Sequence, residues 1–325
     1  MNIGSASFSV MQDPWKLVPA QKLPAGATLG LFSPSEPLTP PRWATLVESL
    51  TLLEERGYII KFAGNAKELA AYAAGNYTKR VADMHALAKD PEVDALLATW
   101  GGKSCNQLLR HLDFALLGSA GKPLIGFSDV AVLQNALTIV SHLASFHFLT
   151  AGRLPETEHL TMESLHGSTE TLYDVFDFNG ADLPRRVFRA GSASGRLFGG
   201  NLSTFVLGLV GTPYLDEMPS DVVFFWESAS ERPQIIDQHL TTLRNAGFMD
   251  RVRAMVIGSA YSGRELRVDE IGEAIKYCIE GYDFPVMYSP SFGHLPTRNP
   301  VVPIGSYCTV DTGKFLVSVQ EPIVQ

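Results

Sequence analysis

Cysteine is scarce in this chain: three residues in 325, at positions 105, 278 and 308. A set that is odd in number and widely separated supplies neither a disulfide framework nor a structural zinc site, so Cys105, Cys278 and Cys308 read as reduced thiols of a cytosolic protein. A block of basic residues is also lacking. With 26 Lys and Arg against 34 Asp and Glu, the formal net charge is −8, which disfavours nucleic acid as a partner. No apolar run is long enough to span a bilayer, and the opening MNIGSASFSVMQDPWKLV has neither the basic start nor the apolar core of a secretory signal. The expectation is a cytoplasmic protein without a membrane partner.

What is present is enough apolar sequence for a large core. The hydrophobic fraction is 46% and the charged fraction 18%, ordinary for a globular enzyme. A chain of 325 residues exceeds what one core usually organises, so two domains are expected. From Ala27 short apolar runs alternate with amphipathic stretches: the strands ATLGLF, YIIKFAG, VDALLATW and KPLIG, separated by helical patterns. Trp43, Leu46, Val47, Leu50 and Leu53 recur at helical spacing, with Thr39 placed to cap the helix and Gly57 to end it. Further helices are expected around Lys79 to Lys89 and Asn106 to Leu117. Such a βα repeat implies a parallel sheet covered on both faces.

Between about Ala151 and Ala193 the periodicity weakens and the residues turn polar, which suits a linker or a segment covering a cleft. A second alternating block follows, with DVVFFWE, a helix from Pro233 to Ala246, VRAMVIGS, a helix from Val268 to Glu280, and PVMYSPSF. VVPIGSYCTVD and KFLVSVQ read as a closing hairpin. The expected architecture is therefore α/β with an N-terminal parallel-sheet domain (1–150), a linker or cleft-covering segment (151–193) and a C-terminal mixed α/β domain (194–325).

In parallel α/β sheets, functional residues gather beyond the carboxyl ends of strands. One such end runs from KPLIG into Phe127, Ser128 and Asp129, followed by the amphipathic positions Val130, Leu133, Leu137 and Val140. A serine on a sharp strand-to-helix turn exposes its hydroxyl, and the next backbone N–H, that of Asp129, can face a developing oxyanion. Val130 stands where the G-x-S-x-G pattern has its last glycine, and a serine that merely caps the helix fits these residues as well.

A serine nucleophile needs a base, usually a histidine oriented by a carboxylate. His294, in SFGHLPTRNP, is borne on a loop just past a strand. By contrast, His85, His111 and His239 read as helix-surface residues, His159 and His166 fall in the linker, and His142 and His147 lack a third ligand at metal spacing. Glu227 ends the apolar run VVFFW, where an acid is costly unless paired. Its rival Glu231 reads as a solvated loop residue or a helix-start charge. Another strand end, TWGGKSCNQLL, echoes a phosphate loop but has Leu97 where the first glycine is required. What remains is a Gly101–Gly102 turn with N–H groups suited to an oxyanion or carboxylate, with Trp100, Lys103 and Ser104 beside it. Arg298, four residues past His294, suits a terminal carboxylate, and Phe176 and Phe178 could cover the cleft.

Taken together, TWGGKSCNQLLRHLD, PLIGFSDVAVL, GRLFGGNLSTFVLGLVGTPY, VVFFWESASERPQIIDQHLTTL and PSFGHLPTRNPVVPIG resemble, in order and spacing, the LD-carboxypeptidase family of serine peptidases, which includes the microcin C immunity peptidases. The resemblance implies a two-domain α/β fold with the active site at the domain interface, a triad of Ser128, Glu227 and His294, an oxyanion hole from Asp129 and the Gly101–Gly102 turn, a homodimer, and no metal or cofactor. Trp-Gly-Gly-Lys-Ser stands here where the recycling carboxypeptidases tend to have Arg-Gly-Gly-Tyr-Gly, and in this the turn is closer to the immunity branch. Two substrate classes follow: an LD-linked muropeptide, or a peptidyl- or aminoacyl-nucleotide. A binding protein of two α/β lobes and a nucleotide-dependent transferase are the rival readings, and a fluorophosphonate probe separates them from an activated serine.

Overall fold

In a computed structural model that describes residues 15–69, 72–148, 150–156, 166, 185–262, 264, 266–294 and 299–325, the alternating pattern resolves into two sheets. The first holds β1 (Thr28–Phe32), β2 (Ile59–Phe62), β3 (Ala95–Ala98), β4 (Leu124–Gly126) and β5 (Ser145–His147), all parallel, in the order β5-β4-β3-β1-β2. Helices on both faces explain why β3 reads ALLA, buried at every position. The connections are α1 (Pro40–Glu55), α2 (Tyr77–Lys89), α3 (Phe114–Ala120) and α4 (Ala131–Ser141).

Local chemistry sets the helix ends. Thr39 occupies the cap position of α1 without a side-chain cap bond; instead Pro40 and Pro41 pre-set the first turn. Asn76 caps α2 by accepting from the Lys79 N–H at 3.0 Å. The helix expected from Asn106 to Leu117 is broken into a short 3₁₀ turn, Cys105–Leu108, and α3. The cause is Asp113, whose carboxylate accepts from the Leu116 N–H at 2.9 Å and so starts a new helix.

The second sheet contains β6 (Arg186–Arg189), β7 (Ser192–Asn201), β8 (Val222–Ala229), β9 (Val252–Tyr261) and β10 (Val286–Tyr288). β7 to β10 run parallel, while β6 pairs antiparallel with β10. The RVFR stretch of β6, which falls within the span 151–193 expected to link the domains or cover the cleft, forms an edge of this sheet. β11 (Val302–Ile304) corrects the expected hairpin: it pairs antiparallel with β5 of the first sheet. The turn after it rests on Gly305, at φ 88°, where an added Cβ would lie 2.4 Å from Thr138 of α4. The closing hairpin is β12 (Tyr307–Asp311) with β13 (Leu316–Val319), and β12 pairs with β7.

The two sheets meet across α4. Asn135 of α4 donates from Nδ2 to the Gly199 carbonyl at 2.7 Å and accepts from the Gly199 N–H at 3.2 Å. Only glycine fits there: an added Cβ on Gly199 would lie 1.7 Å from the Phe225 carbonyl oxygen, and one on Gly200 2.6 Å from Ala131 Cβ. One apolar core runs from Leu31 and Leu97 through α4 to Phe224, Phe225 and Trp226. Among the described residues no helix is long and apolar enough to cross a membrane.

Candidate active site

β4 ends at Gly126, and Phe127 leaves it fully extended before the chain turns sharply at Ser128. Ser128 sits at φ 61°, a left-handed conformation that a non-glycine residue adopts only when its surroundings impose it. A Cβ on Gly126 would lie 2.4 Å from Val130 Cγ1, so the small residue before the turn makes room for the valine after it. The hydroxyl faces a cleft of about 600 Å³ lined by both domains.

His294, on the loop after β10, reaches Ser128 Oγ from Nε2 at 3.1 Å. Its Nδ1 lies 2.7 Å from Glu227 Oε2. Glu227 is completely buried near the end of β8, at a register shift between Trp226 and Ser228, a bulge of the kind that re-aims a side chain. Its second oxygen accepts from Asn201 Nδ2 at 2.9 Å. Burial alone would push the Glu227 carboxyl up, but the charge and hydrogen bond of His294 and the hydrogen bond of Asn201 outweigh it, holding the group below the usual carboxylate range. With Glu227 held as a charged acceptor, Nδ1 is the ring nitrogen placed to donate to it and Nε2 the one that faces the serine hydroxyl.

Gly101 and Gly102 line the same cleft. A Cβ on Gly101 would lie 3.0 Å from Ser128 Cβ, and one on Gly102, at φ 150°, would lie 2.4 Å from Ser35 Oγ, so the turn can approach the serine only as glycine. Asp129 fixes this approach. Its carboxylate accepts from the N–H groups of Ser104 and Cys105 at 2.7 and 2.9 Å and from Ser35 Oγ at 2.6 Å. One buried side chain thereby ties the serine turn to the Gly-Gly turn. Arg80, also buried, braces the underside by donating to the Pro34 carbonyl at 2.7 Å, Ser104 Oγ at 3.0 Å and Gln107 Oε1 at 2.6 Å.

Among the residues expected to bind substrate, Trp100 and Lys103 line the cleft. Ser104 does not: it is buried beneath the turn, with its hydroxyl taken up by Ser35 and Arg80. Arg298, Phe176 and Phe178 lie outside the described residues. Glu231 and His239 also depart from the solvated roles expected of them. Glu231 lines the cleft, with Oε2 accepting from Ser228 Oγ at 2.9 Å and Oε1 3.3 Å from His239 Nε2, and His239 is itself buried. Of the paired histidines, His142 stacks on Trp15 at 4.6 Å, whereas His147 is sealed between Phe127 and Phe225. Burial pushes His147 down to about 4, so it is neutral. Among the described residues no group of three or more His, Cys, Asp or Glu side chains is placed to share a metal ion.

Sequence reading passed over Asn201, Arg80 and Arg153. Arg153 donates to the His294 carbonyl at 3.0 Å and lies over the Phe127 ring at 5.1 Å, positioning the histidine loop from across the cleft. Asn201 carried a signal in hindsight, since an asparagine following two buried glycines at a strand end is a helix cap; it accepts from the Thr204 N–H at 3.2 Å.

Comparison with known proteins gives this geometry a family. The LD-carboxypeptidase N-terminal domain matches residues 29–148, and the LD-carboxypeptidase C-terminal domain matches residues 194–310. The putative carboxypeptidase YocD of Bacillus subtilis (strain 168) is 28% identical over 314 residues, covering 90% of this chain and 95% of that protein. A probable murein peptide carboxypeptidase of the same organism is 26% identical, covering 89% and 90%. The microcin C7 self-immunity protein MccF of Escherichia coli is 22% identical, covering 93% and 95%. Among solved structures, an MccF-like protein from Bacillus anthracis str. Ames superposes with a TM-score of 0.79 at 26% identity, covering 93% of this chain and 99% of that one. MccF in complex with glutamyl sulfamoyl guanosine superposes with a TM-score of 0.82 at 20% identity, covering 94% and 99%, a likeness of fold. With both domains matched in order along the chain, this protein belongs to the LD-carboxypeptidase family and is a serine-type hydrolase.

Proposed function

We propose that the protein hydrolyses an amide bond in a small peptide or peptide conjugate through an acyl-enzyme on Ser128. The observation that carries this reading is the unbroken line of contacts from Ser128 Oγ to His294 Nε2 at 3.1 Å and from His294 Nδ1 to Glu227 at 2.7 Å. His294 takes the hydroxyl proton as the oxygen attacks the carbonyl carbon, and Glu227 stabilises the imidazolium that results. The tetrahedral oxyanion is held by the backbone N–H groups of Asp129 and the Gly101–Gly102 turn. His294 then returns the proton to the leaving amine, and water, activated by the same imidazole, releases the acyl group from Ser128.

The preferred substrate in this reading is a peptide that loses a terminal residue, whose free carboxylate is met by Lys103 at the cleft rim and by Arg298. Murein peptide carboxypeptidases among the relatives support it. The second reading, an aminoacyl- or peptidyl-nucleotide, is supported by MccF structures with aspartyl sulfamoyl adenosine and glutamyl sulfamoyl guanosine, and by an indole, Trp100, in the cleft lining. A product-resolved assay separates them. Release of a terminal amino acid from a tetrapeptide, lost when its carboxylate is amidated, is the result expected; cleavage of glutamyl sulfamoyl guanosine alone would favour the nucleotide. The homodimer implied by the family is part of the same proposal, and sedimentation at micromolar concentration checks it.

A further inference from the structure

Glu231 is an acid on the wall of a cleft whose proposed chemistry does not use it. It follows Glu227 by four residues, on the loop between β8 and the helix Pro233–Asn245. Its role is not that of a helix-start charge: Arg232 holds the cap position, and both Glu231 oxygens engage side chains rather than first-turn N–H groups. The carboxylate is held in place. Ser228 Oγ donates to one oxygen at 2.9 Å, and His239 Nε2 lies 3.3 Å from the other. Its backbone is anchored too, with the Glu231 N–H donating to the Tyr261 carbonyl at 3.1 Å.

A second, independent feature lies one residue earlier. Ser230 sits at φ 63°, the same left-handed strain as Ser128, and it also lines the cleft. Strain of this kind is retained where the surroundings over-determine a conformation, and here it turns the chain so that Glu231 faces the cleft. The acid side chain is 13% exposed, enough to be reached by a ligand and too little to be well solvated. Burial alone would push the Glu231 carboxyl up, but its bonds from His239 and Ser228 hold it low and charged. Loops of the first sheet bring Lys103, Arg153 and the ion pair of Arg42 with Glu36 to the same cleft. Within this lining Glu231 is the carboxylate that comes from the second sheet.

We infer that Glu231 is a specificity residue that receives an ammonium group of the substrate. This rests on the peptidase reading for the identity of the cleft. Two sources supply an ammonium: the α-amine of a short acyl segment, and a side-chain amine such as that of lysine. A carboxylate has about four acceptor positions, so the two contacts above leave capacity for a charged donor.

The test is a binding measurement on Ser128→Ala, which separates recognition from turnover. Calorimetric titration with the tetrapeptide L-Ala-D-Glu-L-Lys-D-Ala is compared with its Nα-acetyl, Nε-acetyl and doubly acetylated forms. Acetylating the amine that meets Glu231 is expected to raise Kd about tenfold or more, as for loss of a charge-assisted hydrogen bond. Which single acetylation does so names the source. In Ser128→Ala/Glu231→Gln the free and doubly acetylated peptides should bind alike, with the doubly acetylated one unchanged from Ser128→Ala, which shows the cleft intact. In Ser128→Ala/Glu231→Lys the order should reverse. Equal affinity for free and doubly acetylated peptide, a preference that survives Glu231→Gln, or no binding of the free peptide would overturn the inference. Wild-type turnover of the free peptide is recorded in parallel. No turnover together with a Glu231-dependent preference would sink the peptidase reading and leave the ammonium site standing, whereas turnover with equal affinities would sink the ammonium site alone.

Discussion

Ser128 holds its backbone at φ 61°, which costs a non-glycine residue on the order of 1–3 kcal/mol, and that strain presents the hydroxyl to His294. If Ser128 and His294 act in one step, Ser128→Ala and His294→Ala should each lower kcat by ~10³-fold or more, with the double variant scarcely worse than either single one. Additive losses in steady-state kinetics would contradict a shared step. Glu227→Gln should be severe, because the amide cannot hold the required imidazole tautomer. Glu231→Gln should leave kcat for an acetylated substrate within about threefold, a loss well below one charge-assisted contact. At the same scale, His147 gives a prediction about pH. Burial depresses its pKa from 6.5 to about 4, so between these values the unfolded chain binds the extra proton and stability falls as pH falls. The slope from this one group approaches ~1.4 kcal/mol per pH unit. Denaturant unfolding of His147→Gln should show a shallower loss of stability than wild type across that window; parallel curves would show that His147 is not the titrating group.

At the scale of elements, the strands and the serine turn were legible because their signals are local. VVFFW is apolar at every position since β8 is covered on both faces, and Gly126, Ser128 and the amphipathic α4 lie within one short stretch. What could not be read is what long-range packing decides. Asp129 takes its donors from Ser35, Ser104 and Cys105, 94, 25 and 24 residues away, and nothing in the local spacing announces that its carboxylate, beyond its N–H, joins two turns. Glu231 was misread for the same reason, since His239 reaches back to it from the following helix. The Asp129 network gives a prediction. All three donors meet one oxygen, Oδ2, so Asp129→Ala removes their shared acceptor; the Gly-Gly turn should shift and kcat fall by roughly 10–100-fold with KM little changed, the pattern of misplaced oxyanion donors. A variant that changed only KM would show the network to be irrelevant to the turn.

The whole molecule matters because no single domain contains the site. Ser128 comes from the first sheet and Glu227 and His294 from the second, so the contact between Ser128 and His294 exists only when the sheets are docked across α4. The GRLFGGN stretch makes that docking possible, as Gly199 bonds Asn135 of α4 through both its carbonyl and its N–H, and an added Cβ there would sit 1.7 Å from the Phe225 carbonyl of the adjacent strand β8 and displace that backbone. Gly199→Ala should therefore destabilise the protein by about 3 kcal/mol or more and abolish activity through the fold; a near-native midpoint in urea would contradict the role given to this contact. The return of β11 to the first sheet was not readable, because VVPI alone does not say which sheet it joins. Activity is also expected to survive EDTA and dithiothreitol, as the three thiols are free and buried and the proposed chemistry draws on Ser128, His294 and Glu227 alone.

The claim on which the rest depends is that docking these two sheets activates Ser128 through His294. Fluorophosphonate labelling followed by intact-mass analysis and peptide mapping measures this directly. The result expected is one adduct per chain on Ser128, none on Ser128→Ala, and labelling at least ~10²-fold slower on His294→Ala, in line with loss of a general base. Labelling at another residue, no labelling of the wild-type protein, or equal rates with and without His294 would contradict it.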